Sequence, residues 1–272
     1  MKKTFKWLLS IISIIALLVA VYFIYQIKVN EYILKIPTYN IEILPEEAKT
    51  IYKQVKDLYG VEIKVVNANY KDDIVDVSAI EKIDKEDINL FYKETKKVIE
   101  TMPSDIFKQF NRSFVVYYVS EIQVPGSSGN GIAVGYTIQS KQIKTVNMFI
   151  SNNHQENSIV NNTLPMTLNH EMFHVITAVH NLDKAGIEAL NPAGFVYGDN
   201  NQEYYRKYMN YFVTPYSLFS STEDACEIFA SKMVKGYYGL GSQAIQNKWK
   251  IIEKGLENGL EDNKFIEEIK KN

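Results

Sequence analysis
Two of the chain's four histidines stand four residues apart around an acid, in Leu168-Asn169-His170-Glu171-Met172-Phe173-His174-Val175. On a helix, a spacing of four turns the second side chain by only about 40° and raises it about 6 Å, so both imidazoles leave the same face. Two nitrogens on one rigid helix form half of a zinc site, since catalytic zinc takes three protein donors and keeps one position open. Glu171 follows the first histidine directly, where its carboxylate can reach a metal-activated water without filling the metal's own sphere. Thr163 and Pro165 suit an N-cap and a first turn, and Met166, Phe173, Ile176 and Thr177 can pack. The motif alone is also compatible with two ordinary helix histidines, so the third donor decides its meaning.

Two candidates offer that donor. His180 lies ten positions after His170, the spacing of H-E-x-x-H-x-x-G-x-x-H, but Thr177 stands where that pattern needs a glycine to turn the chain. If the helix simply continues, His180 falls about 15 Å further along its axis. The better candidate is Ser221-Thr222-Glu223-Asp224-Ala225-Cys226-Glu227-Ile228-Phe229-Ala230, in which Glu223 and Glu227 share one helix face. One carboxylate could bind the metal while its next-turn partner accepts a hydrogen bond from a liganding histidine. Glu223 comes 49 residues after His174, enough chain for a loop and a returning helix. An isolated E-x-x-x-E is usually a solvated face, but here Ile228, Phe229 and Ala230 flank it.

Taken together, His170-Glu171-x-x-His174 and Glu223-x-x-x-Glu227 resemble a gluzincin zinc metallopeptidase. The chain is most similar to the anthrax lethal factor-like catalytic domain group, which includes secreted proline-directed peptidases. The string Glu-Asp-x-x-Glu-x-Phe-Ala over 223–230 carries this, as does Tyr216, seven residues before Glu223, where that group has a tyrosine facing the metal. The similarity covers about Ile132 to Ala230. It implies that His170, His174 and Glu223 bind Zn2+, that Glu171 is the general base, that Tyr216 stabilises the oxyanion, and that Glu227 supports a liganding histidine from behind. Cys226 departs from the pattern, standing where a small or apolar residue is expected. It reads as a buried thiol that could compete for the metal.

Together with the N-terminal apolar segment, these residues give the expected activity of a membrane-anchored extracellular zinc metalloendopeptidase, a hydrolase acting on protein or peptide substrates. Zinc would acidify water and polarise the peptide carbonyl, and Glu171 would take the proton. A zinc amidase acting on cell-wall peptides is one alternative, and a catalytically silent surface binding module is another. Retention of Glu171 argues against the silent module, which has no need of a base. Substrate should add as a strand to the sheet edge bordering the cleft, with Ile132–Ile138 or Thr145–Ser151 as the bordering strand. Tyr204, Tyr205, Tyr208, Tyr211 and Phe212 could line substrate pockets, although their helical spacing favours packing.

These residues need a scaffold, and the remaining sequence outlines one. A net charge of −2 gives no reason to expect nucleic acid, and a single cysteine excludes any intrachain disulfide. Lys2, Lys3 and Lys6 precede an uncharged apolar run from Trp7 to Ile27, long enough for the about 20 residues that cross a bilayer. The run exceeds the about 7–15-residue core of a cleaved signal peptide, which remains the alternative and would give a secreted protein. The basic residues before the run would hold the N-terminus in the cytoplasm and place the rest outside. The expected organisation is an N-terminal anchor over 1–28, a tether over 29–43 and a peptidase domain over 44–272.

Within that domain, Leu44–Leu58 and Lys85–Met102 read as helices, the first ended by Gly60 and the second by Pro103. Val61–Val66, Ser113–Ile122, Ile132–Ile138 and Thr145–Ser151 read as strands. The glycine-rich stretch 125–131 matches no phosphate-loop spacing and reads as a hairpin loop. Beyond Ser151 the pattern is helical, with breaks near 191–201 and 214–221. The expected fold is an α+β zincin-like metallopeptidase domain behind one N-terminal transmembrane helix. A small mixed sheet and an active-site helix would lead into a mostly helical C-terminal half.

Overall fold
Burial on both faces explains why β4 (Ser113–Val119) and β8 (Thr145–Ser151) read as nearly continuous apolar runs, as central parallel strands do. The computed structural model describes residues 15, 17–29, 33–124, 132–153, 164–198, 202–234, 241–260 and 263–271. β1 (Val61–Val65) runs parallel to β4, β4 parallel to β8, and β7 (Gly135–Ser140) antiparallel to β8, giving the order β1-β4-β8-β7. Among the described residues β7 is therefore an edge strand, and β8 is not. A second sheet, in the order β2-β3-β5-β6, joins β2 (Tyr70–Lys71), β3 (Asp76–Ser78), β5 (Glu121–Gln123) and β6 (Ile132–Ala133).

Alternation along the central strands divides two cores. Phe114, Val116, Tyr118, Val146, Met148 and Ile150 face a core shared with the helices, and Val115, Tyr117, Val119 and Phe149 face one shared with the second sheet. The helices of the first core include α1 (Glu46–Tyr59), α2 (Lys85–Thr101) and α3 (Ser104–Gln109). Gly60 ends α1 at φ 71°, a left-handed position that favours glycine, and Asp84 caps α2 by accepting from the amides of Glu86 and Asp87.

The C-terminal half is helical. It comprises α4 (Leu164–Val179), α5 (Lys184–Ala189), α6 (Gln202–Tyr208), a 3-10 turn at Pro215–Leu218, α7 (Ser221–Met233), α8 (Gln243–Gly259) and α9 (Asn263–Lys271). The tyrosine-rich segment packs upon itself: Tyr208, Phe212 and Leu218 are buried, with Phe195, Tyr197, Tyr204, Tyr205 and Tyr211 against them. This supports the packing assignment for that cluster.

One expectation is overturned. Among the described residues no helix is long and apolar enough to cross a membrane. The described helical run over 17–29 has thirteen residues. Its far end meets the body of the protein, where Val29 is buried and Arg112 donates to Gln26 at 3.3 Å. The transmembrane helix and the single-pass, outward-facing placement are corrected accordingly. Lys2, Lys3, Lys6, the start of the apolar run, Thr163 and the glycine-rich stretch 125–131 lie outside the described residues.

Candidate metal centre
α4 and α7 are the two helices that meet at the centre, and their shared apolar face sets how they meet. Phe173 stacks on Phe229 with ring centroids 4.4 Å apart, and Leu168, Met172, Ala225 and Ile228 are buried with them. α4 is apolar on nearly every side and is enclosed accordingly. Its polar residues are thus pushed into the interior, where they must find partners.

The helix phase brings His170 and His174 to one point, with their Nε2 atoms 3.2 Å apart. Glu223, in the first turn of α7, comes within 3.0 Å of His170 Nε2 and 3.4 Å of His174 Nε2 through Oε2. Ser220 caps this helix by accepting from the Glu223 amide at 3.1 Å. A glutamate at that third position commonly returns the favour to the cap residue's amide. Here its carboxylate goes to the two histidines instead, a local preference given up at the site.

The set fits a divalent cation by its own geometry. With zinc–nitrogen and zinc–oxygen distances of about 2.0–2.2 Å, tetrahedral donors lie about 3.3–3.5 Å from each other. The three observed separations are 3.2, 3.0 and 3.4 Å. Two imidazole nitrogens and a carboxylate aimed together need a positive charge between them, either a proton or a metal. Cys226 joins the group: its Sγ lies 3.6 Å from His174 Nε2, and the donor atoms of all four residues lie within 4.8 Å of one another.

A surrounding layer fixes these side chains. Glu227 Oε1 lies 2.6 Å from His170 Nδ1, which leaves Nε2 facing the centre, and Thr214 donates to Glu227 Oε2 at 2.8 Å. Thr214 also caps the 3-10 turn that carries Tyr216. The Tyr216 ring is 5.7 Å from the His170 ring, and the residue is 44% exposed, so its side chain borders both the centre and solvent.

On the other side, Thr137 of β7 donates to Glu171 Oε2 at 2.6 Å, and Gln139 of β7 donates to the His174 carbonyl at 2.9 Å. A Cβ at Gly135 would lie 2.5 Å from Glu171 Oε1, so glycine there is what lets strand and carboxylate approach. The strand bordering the centre is therefore β7. Thr145–Ser151 is paired on both sides and has no free edge.

Charge follows from burial and neighbours. Burial would lower the His170 pKa, but hydrogen bonds to Glu223 and Glu227 outweigh it and hold it well above the usual histidine value. Burial would raise Glu223, yet the hydrogen bonds from His170 and His174 hold it below the usual carboxylate value. Burial raises Glu171, with the two histidines and Thr137 opposing it only in part.

Behind the first turn of α7, Asp224 and Lys248 form a fully buried pair at 2.6 Å. Tyr197 donates to the same Asp224 oxygen at 3.0 Å. Lys248 donates to the Tyr211 carbonyl at 3.0 Å and lies 4.0 Å from the centre of the Phe212 ring. Burial pushes the Asp224 carboxyl up to about 6 and lowers Lys248, each against the pull of its partner.

The structure thus brings His170, His174, Glu223 and Glu227 together, with Glu171 and Tyr216 beside them. His180 is elsewhere: α4 continues through Thr177, the His180 amide bonds to the Ile176 carbonyl at 2.9 Å, and its ring lies against Gly259 of α8. Gly135, Thr137, Gln139 and Lys248 were not picked out by sequence. Only Thr214 carried a local signal, as the first residue of a Thr-Pro-x-Ser cap.

No family model matches the sequence, and no curated protein matches it. One solved structure is similar, a provisionally assigned zinc-binding metallo-peptidase from Bacteroides caccae. It has 12% sequence identity and a TM-score of 0.49, over 83% of this chain and 92% of that one, a likeness too distant to assign a family.

Proposed function
We propose that this chain is a zinc-dependent metallopeptidase that hydrolyses peptide bonds at the α4–α7 centre. His170, His174 and Glu223 would hold the ion, and Glu227, backed by Thr214, would orient His170. Zinc in this place supplies a Lewis acid that polarises a carbonyl and acidifies water. Glu171 accepts the proton of the attacking water and passes it to the leaving amine, and its bond from Thr137 keeps the carboxylate aimed. Tyr216, half exposed beside His170, donates its hydroxyl to the oxygen on which negative charge develops. Among the described residues no strand pairs with the outer edge of β7, beside Glu171, so an extended peptide can add there as a further strand. Hydrolysis within a chain, as an endopeptidase, agrees with an open edge of this kind.

The observation that carries this reading is the meeting of three metal donors, 3.0–3.4 Å apart, with a buried carboxylate one residue from the first of them. The test is Glu171→Gln, assayed for zinc content and for cleavage of a peptide library by mass spectrometry. The variant should keep its zinc and lose cleavage. Undiminished cleavage would remove Glu171 from the role of base.

A further inference from the structure
The 3-10 turn beside the centre carries a second aromatic ring that the hydrolytic scheme does not use. A 3-10 helix has about three residues per turn, so side chains three apart stand above one another on one face. Phe219 follows Tyr216 by three and keeps the helical backbone, with φ −71° and ψ −46°, and its amide bonds to the Tyr216 carbonyl at 3.1 Å. Pro215, Ser217 and Leu218 turn inward and are buried, which leaves Tyr216 and Phe219 on the outer face. Their ring centroids lie 5.1 Å apart, the spacing of a packed aromatic pair. The turn is fastened at both ends, by the Thr214 cap and by the Gly198 amide, which donates to the Leu218 carbonyl at 2.9 Å. Of the large hydrophobic side chains described beyond residue 164, four are exposed, and two of them are this pair. A phenylalanine ring 42% exposed on a firmly held turn leaves water only when something covers it.

What covers it follows from its place. β7 holds Glu171 on one side of the centre, and the Tyr216 ring borders His170 on the other. The two ring spacings, 5.7 Å from His170 to Tyr216 and 5.1 Å from Tyr216 to Phe219, keep Phe219 within about 11 Å of the His170 ring. About three residues of extended peptide span that distance. We propose that Phe219, backed by Tyr216, is a specificity-determining residue that receives an aromatic or large aliphatic side chain of the substrate, within three residues of the bond cleaved. This rests on the metallopeptidase reading above and deepens it by naming the class of peptide. An apolar side chain laid on the ring takes both surfaces out of water, and an aromatic one can also pack edge to face. A carboxylate in that place gives up hydration to a ring face that carries the same sign of charge.

The test is a peptide-library digest by the full zinc-loaded chain, read by mass spectrometry around the cleaved bond. The unaltered protein should enrich Phe, Tyr, Leu, Ile or Met at one position within three of that bond. In Phe219→Ala, the kcat/KM for a peptide with Phe at that position, relative to the same peptide with Ser there, should fall at least about 10-fold, and Phe219→Leu should restore part of the ratio. Phe219→Lys should move the enrichment at that position to Asp and Glu, a change that loss of folding cannot produce. Each variant should keep its zinc, which separates a lost side-chain contact from a damaged centre. Cleavage with no large apolar residue enriched within three positions, or an enrichment that Phe219→Ala leaves in place, overturns the proposal and leaves the metallopeptidase reading standing. Failure of the zinc-loaded chain to cleave any peptide overturns both. Should Phe219→Ala not fold, Phe219→Lys decides, and an unshifted pattern there overturns the proposal.

Discussion

Replacing Lys248 by Met tests what holds the first turn of α7, and with it Glu223, in place. The substitution keeps an unbranched side chain of similar length and removes the charge from a site with no exposure. Asp224 then keeps only the hydrogen bond from Tyr197 and loses its cationic partner at 2.6 Å. Removing one member of a buried pair costs about 3–5 kcal/mol, because the remaining charge stays in a poor solvent. The lysine's bond to the Tyr211 carbonyl and its contact with the Phe212 ring go as well, which favours the upper half of that range. At about 2–4 °C per kcal/mol for a chain of this size, the melting temperature should fall by about 10 °C or more. Urea unfolding followed by circular dichroism would give the free energy. Adding Asp224→Asn to Lys248→Met removes the stranded charge and should recover about 2–3 kcal/mol. A single variant within about 1 kcal/mol of the parent would refute the reasoning, as would a double variant whose loss is the sum of the two singles.

Other consequences concern the centre directly. Thr137→Val removes the donor to the Glu171 carboxylate, and a hydrogen bond to a charged group contributes about 1.5–3 kcal/mol. Turnover of a peptide substrate should fall at least about 10-fold with little change in KM, and an unchanged kcat would contradict the positioning role. Gly135→Ala places a methyl group 2.5 Å from Glu171 Oε1. It should displace that side chain or the strand, costing about 1–3 kcal/mol in denaturant melts and reducing cleavage. Glu227→Gln should weaken zinc binding by about 10–100-fold through His170, as read by competition with a fluorescent chelator. Removing zinc from the loaded protein should lower its melting temperature, since an ion at a hundred times its Kd contributes about 2.7 kcal/mol.

The parts of the fold that were legible in sequence are those set by local periodicity. Thr145–Ser151 was bounded correctly because both its faces are buried and its run is unbroken. Helices α1 and α2 were found to within one or two residues, since Gly60 and Pro103 mark their ends. Ser113–Ile122 was read as one strand, but it divides at Ser120. That amide bonds to the Ser78 carbonyl, and the chain passes from one sheet to the other. Ile132–Ile138 divides at Val134 for a similar reason, its carbonyl accepting from the Ser151 amide. β2 and β3 have two and three residues, too few for a periodic signal, and exist only through pairing. The apolar run from Trp7 to Ile27 reads by composition as a membrane span, but among the described residues no helix is long and apolar enough to cross a membrane, and the one there meets the body of the protein at Val29 and Arg112.

The site divides along the same line. Helical spacing put His170 with His174 and Glu223 with Glu227, and the link between the pairs came from the order of the two motifs along the chain. Thr137, Gly135 and Gln139 belong to an edge strand that reaches α4 only through tertiary packing, and no spacing rule connects them to it. Lys248 is a lysine within an amphipathic helix, and burial with Asp224 is visible only once α8 is placed.

The central claim is that His170, His174 and Glu223 hold one metal ion, and zinc titration of the purified chain tests it most directly. The unaltered protein should bind about one equivalent, and His174→Ala and Glu223→Ala should each weaken binding by at least about 100-fold, beyond what an outer partner alone would cause. Equal zinc affinity in Glu223→Ala and the unaltered protein would contradict the account.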